Sequence, residues 1–127
     1  MTVPRVSIIS IVDDDESVRV AMSSLVRSLG YQVREFASAA DFLASPLRHE
    51  TACLIADVQM PGMSGLELQD ALLARDELVP IIFITAFPAD GIRRRAEAAG
   101  AVGFFSKPVD SYSIIRCLNA ALSRSGP

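Results

Sequence analysis

The chain is predicted to fold as an α/β domain, a five-stranded parallel sheet wrapped by five helices. Three observations carry that prediction. Apolar stretches of strand length alternate with stretches of helical periodicity along the whole chain. The strand-like stretches are mostly apolar throughout, as expected when both faces of a sheet are covered. Polar, reactive residues stand where those strands stop, and ligands bind beyond the carboxyl ends of strands in such sheets.

Taken in order, residues 7–12 read as the first strand. Residues 17–29 form the first helix, with Val18, Met22, Leu25, Val26 and Leu29 near the helical period, and Gly30 supplies its stop. Residues 31–36 alternate, are rich in β formers and make the second strand. Ser38 caps a short helix over 39–44 and places Asp41 in its first turn, where the helix dipole favours an anion. The third strand is 52–57, and Met60-Pro61-Gly62-Met63 then breaks the chain into a loop. A helix follows over 64–75, with Leu66, Leu68, Leu72 and Leu73 as its apolar candidates. Pro80 introduces the fourth strand, 81–85. Residues 88–99 are helical in composition and close at Gly100. The fifth strand is 102–106. Ser111 caps a last helix that runs through Ser123 and carries Ile114, Ile115, Leu118 and Leu122 on one face, and residues 123–127 are expected to fray.

Composition narrows the function classes. A chain of 127 residues suits one domain with one core, and no linker, internal repeat or low-complexity stretch interrupts it. A net charge of −3 argues against nucleic acid or an anionic membrane as the main partner. No apolar run approaches the ~20 residues that span a bilayer. Residues 1–5 lack the features of a signal peptide. Cys53 and Cys117 sit in apolar segments without metal-ligand spacing and read as reduced thiols of a cytosolic protein. The single histidine, His49, lies beside Glu50 in a polar stretch and reads as a solvated loop residue.

The chemistry concentrates at four strand ends. Asp13, Asp14 and Asp15 follow the first strand, Asp57 ends the third and Thr85 ends the fourth. Lys107, the only lysine among twelve basic residues, follows the fifth. Lysine is a compact point charge that arginine's planar fork does not replace everywhere. Carboxylates gathered in one crevice repel one another, and a divalent cation is the simple remedy. An all-oxygen site suits Mg²⁺ or Mn²⁺. Asp57 and Asp14 serve as ligands, Asp13 as a direct or water-bridged third, and the Gln59 backbone carbonyl completes the protein's share. Such a site neutralises an incoming phosphoryl group and lets a carboxylate act as nucleophile. The chemistry implied is phosphoryl transfer onto Asp57, with Lys107 and Thr85 contacting phosphoryl oxygens. Asp15 reads equally well as a plain helix cap.

The stretches Val12-Asp13-Asp14-Asp15, Ile55-Ala56-Asp57-Val58-Gln59-Met60-Pro61-Gly62-Met63-Ser64-Gly65, Ile82-Phe83-Ile84-Thr85-Ala86 and Phe105-Ser106-Lys107-Pro108 resemble a bacterial response-regulator receiver domain. The resemblance spans 6–123, leaving 1–5 and 124–127 as termini, and is closest to the FixJ-type subgroup. It implies a doubly wound sheet of order 2-1-3-4-5, the flavodoxin-like or CheY-like fold. By position it makes Asp57 the phosphoacceptor, Asp13 and Asp14 the acidic metal pair, and Lys107 the phosphoryl contact. Thr85 is the switch hydroxyl and Phe104 the switch aromatic, and the Lys107–Pro108 bond is expected to be cis.

The function so implied is that of a cytoplasmic two-component response regulator. It is no enzyme beyond self-catalysed phosphoryl transfer onto Asp57 and slow self-dephosphorylation. Its partners are a sensor histidine kinase and, across the fourth helix, fifth strand and fifth helix, a second copy. Arg93, Arg94 and Arg95 on that face either pair with a partner's acids or form a solvated surface. Direct nucleic-acid binding and membrane association are not expected. Two departures from FixJ-type receivers stand out. Ala86-Phe87-Pro88-Ala89 replaces a Gly-His-Gly run, and Phe87 is placed to shield an acyl phosphate from water. No output domain follows, so the chain reads as a single-domain regulator or a fragment of a DNA-binding one.

Rival readings have specific gaps. A haloacid-dehalogenase-type phosphatase needs a second aspartate where Gln59 stands. A flavodoxin-like flavin binder needs a phosphate loop where the acidic 13–16 run stands. A degenerate receiver serving only as a protein-binding module is expected to have lost some of the five site residues.

Overall fold

The computed structural model describes residues 7–125. The strands are β1 (Ile8–Val12), β2 (Gln32–Phe36), β3 (Thr51–Asp57), β4 (Ile81–Thr85) and β5 (Gly103–Ser106). The helices are α1 (Glu16–Ser28), α2 (Ala39–Ala44), α3 (Gly65–Ala74), α4 (Asp90–Ala98) and α5 (Ser111–Ser125). All strand pairs are parallel and the order is β2-β1-β3-β4-β5, as the resemblance implied.

Alternation within the apolar strands builds two cores, one on each sheet face. Leu54 and Ala56 of β3 and Ile81 and Phe83 of β4 join Phe42, Leu66, Leu68, Leu72 and Ala96 from α2, α3 and α4. Their neighbours Cys53, Ile55, Ile82 and Ile84 face the other way, onto Met22 and Val26 of α1 and Ile114, Leu118 and Ala121 of α5. A strand buried on both sides has no room for polar residues, which is why these stretches read as continuous apolar runs.

Helix boundaries differ from the sequence reading where side-chain caps decide. Asp15 accepts from the Ser17 and Val18 amides and caps α1, so the plain reading of that aspartate holds. The last helix is held by Asp110 rather than Ser111. Its carboxylate accepts from the Tyr112 amide at 3.3 Å and the Ser113 hydroxyl at 3.1 Å, and Ser111 is the first helical residue. That helix continues to Ser125, two residues past its expected end, while residues 126 and 127, like residues 1–6, lie outside the described residues. α4 starts at Asp90, two residues late, because Ala89 keeps an extended backbone and stands as the N-cap, without a side-chain cap bond. A 3-10 turn, Pro46–Glu50, precedes β3 and was not expected. It carries His49, whose side chain is exposed as foreseen. On α3, Leu73 points outward and Gln69 takes a buried place instead, donating to the Ala96 carbonyl at 3.1 Å and tying α3 to α4.

The register sets the height of each strand end. Val12 pairs level with Ala56, Asp57 with Ile84, and Thr85 with Ser106. Asp13, Asp57, Thr85 and Lys107 therefore emerge along one edge.

Candidate functional site

Asp57 occupies the centre of that edge. It is 5% exposed, a burial that a carboxylate tolerates only with partners. Oδ1 accepts from the Gln59 amide at 3.1 Å and Oδ2 accepts from Lys107 Nζ at 2.9 Å. The tight approach of α3 confines it from below. The Gly65 amide donates to the Val58 carbonyl at 2.8 Å, and a Cβ on Gly65 would collide with the Asp57 carbonyl.

Asp13 is fully buried and its Oδ1 accepts from the Asp15 amide at 2.9 Å. Its Oδ2 has no hydrogen-bond partner, although Lys107 Nζ stands 3.1 Å away as an ion pair. The ammonium directs its hydrogen bond at Asp57 instead. Burial pushes the Asp13 carboxyl above its ordinary range, partly offset by the Asp15 amide and Lys107. Burial also opposes the charge on Lys107, but the hydrogen bond to Asp57 and the negative charge of Asp13 beside it outweigh this and hold the ammonium above its ordinary value. Asp14 is exposed, and one carboxylate oxygen from each of Asp13, Asp14 and Asp57 lies within 4.8 Å of the others. Three carboxylates thus face one ammonium, and the uncompensated charge suits a cation with oxygen ligands.

Thr85 is fully buried. Its hydroxyl accepts from the Phe87 amide at 3.1 Å and donates to Gln59 Oε1 at 2.8 Å. The Lys107 amide donates to the Thr85 carbonyl at 2.7 Å, which couples the ends of β4 and β5. The Lys107–Pro108 bond is cis. Phe104 is 4% exposed in the core under α4, and the Arg93 guanidinium covers its ring at 5.1 Å. Arg95 pairs with Asp70 of α3 at 2.6 Å and Arg94 donates to the Asp90 carbonyl at 3.4 Å, so all three arginines on α4 are engaged within the chain. The Phe87 ring is 71% exposed and is not packed over the buried groups.

The sequence reading therefore named five residues that meet at one place, with Phe104 beneath them. It missed two contributors. The Gln59 side chain holds the Thr85 hydroxyl, a role beyond the carbonyl assigned to that residue. Arg19 donates to the Asp13 carbonyl at 2.7 Å and pairs with Glu35 at 3.4 Å. A signal for Arg19 exists: a cation near a helix N-terminus opposes the dipole and needs a partner elsewhere.

Comparison with known proteins gives one consistent result. The family model for the response regulator receiver domain matches residues 9–119. The response regulator protein TodT of Pseudomonas putida is 46% identical over 118 residues, which cover 93% of this chain and 52% of TodT. The chain thus spans about half the length of the curated relatives it matches. Among solved structures, the response regulator StyR superposes with a TM-score of 0.86 at 39% identity, covering 94% of this chain and 60% of StyR. FixJ-N superposes with a TM-score of 0.83 at 32% identity, covering 94% and 96%.

Proposed function

Because the chain belongs to the response regulator receiver domain family of two-component systems, we propose that it takes a phosphoryl group from a sensor histidine kinase onto Asp57. The observation that carries this reading is the environment of Asp57: a buried carboxylate with a lysine on one oxygen and two further carboxylates within ligand distance.

In the step proposed, an Asp57 carboxylate oxygen attacks the phosphorus of a phosphohistidine. The P–N bond breaks as the P–O bond forms, and the imidazole nitrogen leaves with the electron pair. Lys107 passes from Asp57 Oδ2 to a phosphoryl oxygen. Thr85 turns its hydroxyl to another. Both are charge-assisted bonds, stronger than neutral ones. Asp13, Asp14, Asp57 and the Gln59 carbonyl would hold Mg²⁺ or Mn²⁺, and the buried Asp13 Oδ2 without a hydrogen bond fits that donor set. When bound, the cation supplies neutralisation of the phosphoryl charge.

The modification adds about −1.5 to −2 charges at the centre of the sheet edge. Movement of Thr85 is passed to Phe104, one strand away, and so to the face made by α4, β5 and α5. That face is the proposed contact for a second copy or an output partner, and transcriptional control is the output suggested by relatives such as FixJ. Beyond the acceptance step the only reaction proposed is slow self-dephosphorylation in the cytoplasm. Among the described residues no helix is long and apolar enough to cross a membrane.

Incubation with acetyl phosphate and Mg²⁺, followed by intact mass, tests the reading. One added phosphoryl group is expected in the native chain and none in Asp57→Asn. No gain in the native chain would leave a receiver fold that serves only as a binding module.

A further inference from the structure

The Gln59 side chain is the polar group at the site that the proposed chemistry does not use. It sits between the acceptor and the switch residue. The backbone N–H of Gln59 donates to Asp57 Oδ1 at 3.1 Å, and its side-chain oxygen accepts from the Thr85 hydroxyl at 2.8 Å. One residue thus touches both groups whose arrangement must change.

The direction of the Thr85 bond gives it consequence. The hydroxyl oxygen is already an acceptor for the Phe87 amide. A hydroxyl has one hydrogen to donate, and here that hydrogen goes to Gln59. Thr85 is fully buried, so water is not an alternative partner. To serve a phosphoryl oxygen, the same hydrogen must leave Gln59. The two acceptors compete for a single donor.

We propose that Gln59 is a positioning residue that holds Thr85 in its unmodified orientation and sets the threshold for phosphoryl acceptance through the bond between its side-chain oxygen and the threonine hydroxyl. The inference rests on the phosphoryl-acceptor reading of Asp57 for its consequence, but the orientation of Thr85 can be measured without it. Shortening or removing the side-chain oxygen frees the hydroxyl. Methionine at this position keeps length and backbone while deleting the acceptor.

Two measurements test the proposal. In the unmodified chain, the Thr85 χ1 rotamer is read from methyl three-bond couplings. A single rotamer is expected in the native protein and averaging in Gln59→Met. A rotamer that stays fixed in Gln59→Met overturns the proposal. The second measurement follows phosphoryl uptake from acetyl phosphate and Mg²⁺ by intact mass. Uptake about fivefold faster is expected in Gln59→Met, the size of one neutral hydrogen bond. In a Thr85→Ala background the same substitution is expected to change nothing. An equal acceleration in that background would show that Gln59 acts by crowding rather than through Thr85, and would also overturn the proposal. If the native chain takes up no phosphoryl group, the reading of Asp57 fails, and the rotamer measurement still decides the role of Gln59.

Discussion

Nζ of Lys107 lies 2.9 Å from Oδ2 of Asp57, which puts the chain's single lysine on the carboxylate at the middle of the sheet edge. A flexible stem reaching over from β5 delivers a point charge that a planar guanidinium cannot place in the same space. Lys107→Met is expected to slow phosphoryl uptake on the order of 100-fold, the usual effect of deleting one donor to a charged transition state. Uptake rates by intact mass check this, and Lys107→Arg is expected to recover little of the loss.

Divalent cation binding should stabilise the folded chain, since the unfolded chain has no assembled carboxylate site. At a concentration about 100 times the dissociation constant the gain is ~2.7 kcal/mol. For a domain of this size that raises the melting temperature by several degrees. Thermal melts with Mg²⁺ and with EDTA measure it. Asp13→Asn is expected to abolish the difference between the two conditions.

Gly65→Ala places a methyl group against the Asp57 carbonyl. The backbone must yield at the base of the site, at a cost of ~1–3 kcal/mol. Urea unfolding is expected to show a lower midpoint with an unchanged slope. The survivors should take up phosphoryl more slowly, because β3 and α3 can no longer meet at the same distance.

Away from the site, Glu77 is paired with Arg48 at 3.1 Å and 3.3 Å. The Arg48 hydrogen bonds hold its carboxyl below the ordinary value of 4.5. The unfolded chain then binds more protons than the folded one in this range. The pair's stabilisation is therefore complete above the unfolded value and is lost as pH falls through the lower folded value. Melting curves across the acid range should show this loss, and Arg48→Met should flatten it.

Phe87 stands beside the site with its amide fixed on the Thr85 hydroxyl and its ring in solvent. To shield an acyl phosphate this ring must fold in from solvent, and a carboxylate in its place would draw water toward the site instead. Phe87→Glu is expected to shorten the lifetime of the phosphorylated chain severalfold, as followed by loss of the added mass. An unchanged lifetime would remove Phe87 from the account of slow decay.

Much of this architecture was legible in the residues because two-sided burial writes itself as unbroken apolar runs. β4 was read to the residue, and Asp57, Thr85 and Lys107 were found by asking what stood where such runs stop. Convergence of the side chains of Asp14, Asp57 and Lys107, on which the phosphoryl reading depended, is present in the structure. What escaped notice depends on side-chain direction. Asp110 and Ser111 are equally good caps by type, and only geometry selects the aspartate. Leu73, read as part of the apolar face, is exposed, and Gln69 is buried with its side-chain amide on the Ala96 carbonyl, a partner on another helix that its residue type does not announce. The 3-10 turn before β3 has no apolar period to reveal it.

The strand order divides the labour at the sheet edge. β3 carries Asp57, the proposed acceptor, with β1 and its acidic residues on one flank and β4 and β5, with the hydroxyl, the lysine and Phe104, on the other. Descendants of such a chain are free to redraw the α4 and β5 flank for a new addressee while inheriting the acidic flank untouched. A single scaffold of this layout can therefore diversify its messages without relearning its chemistry.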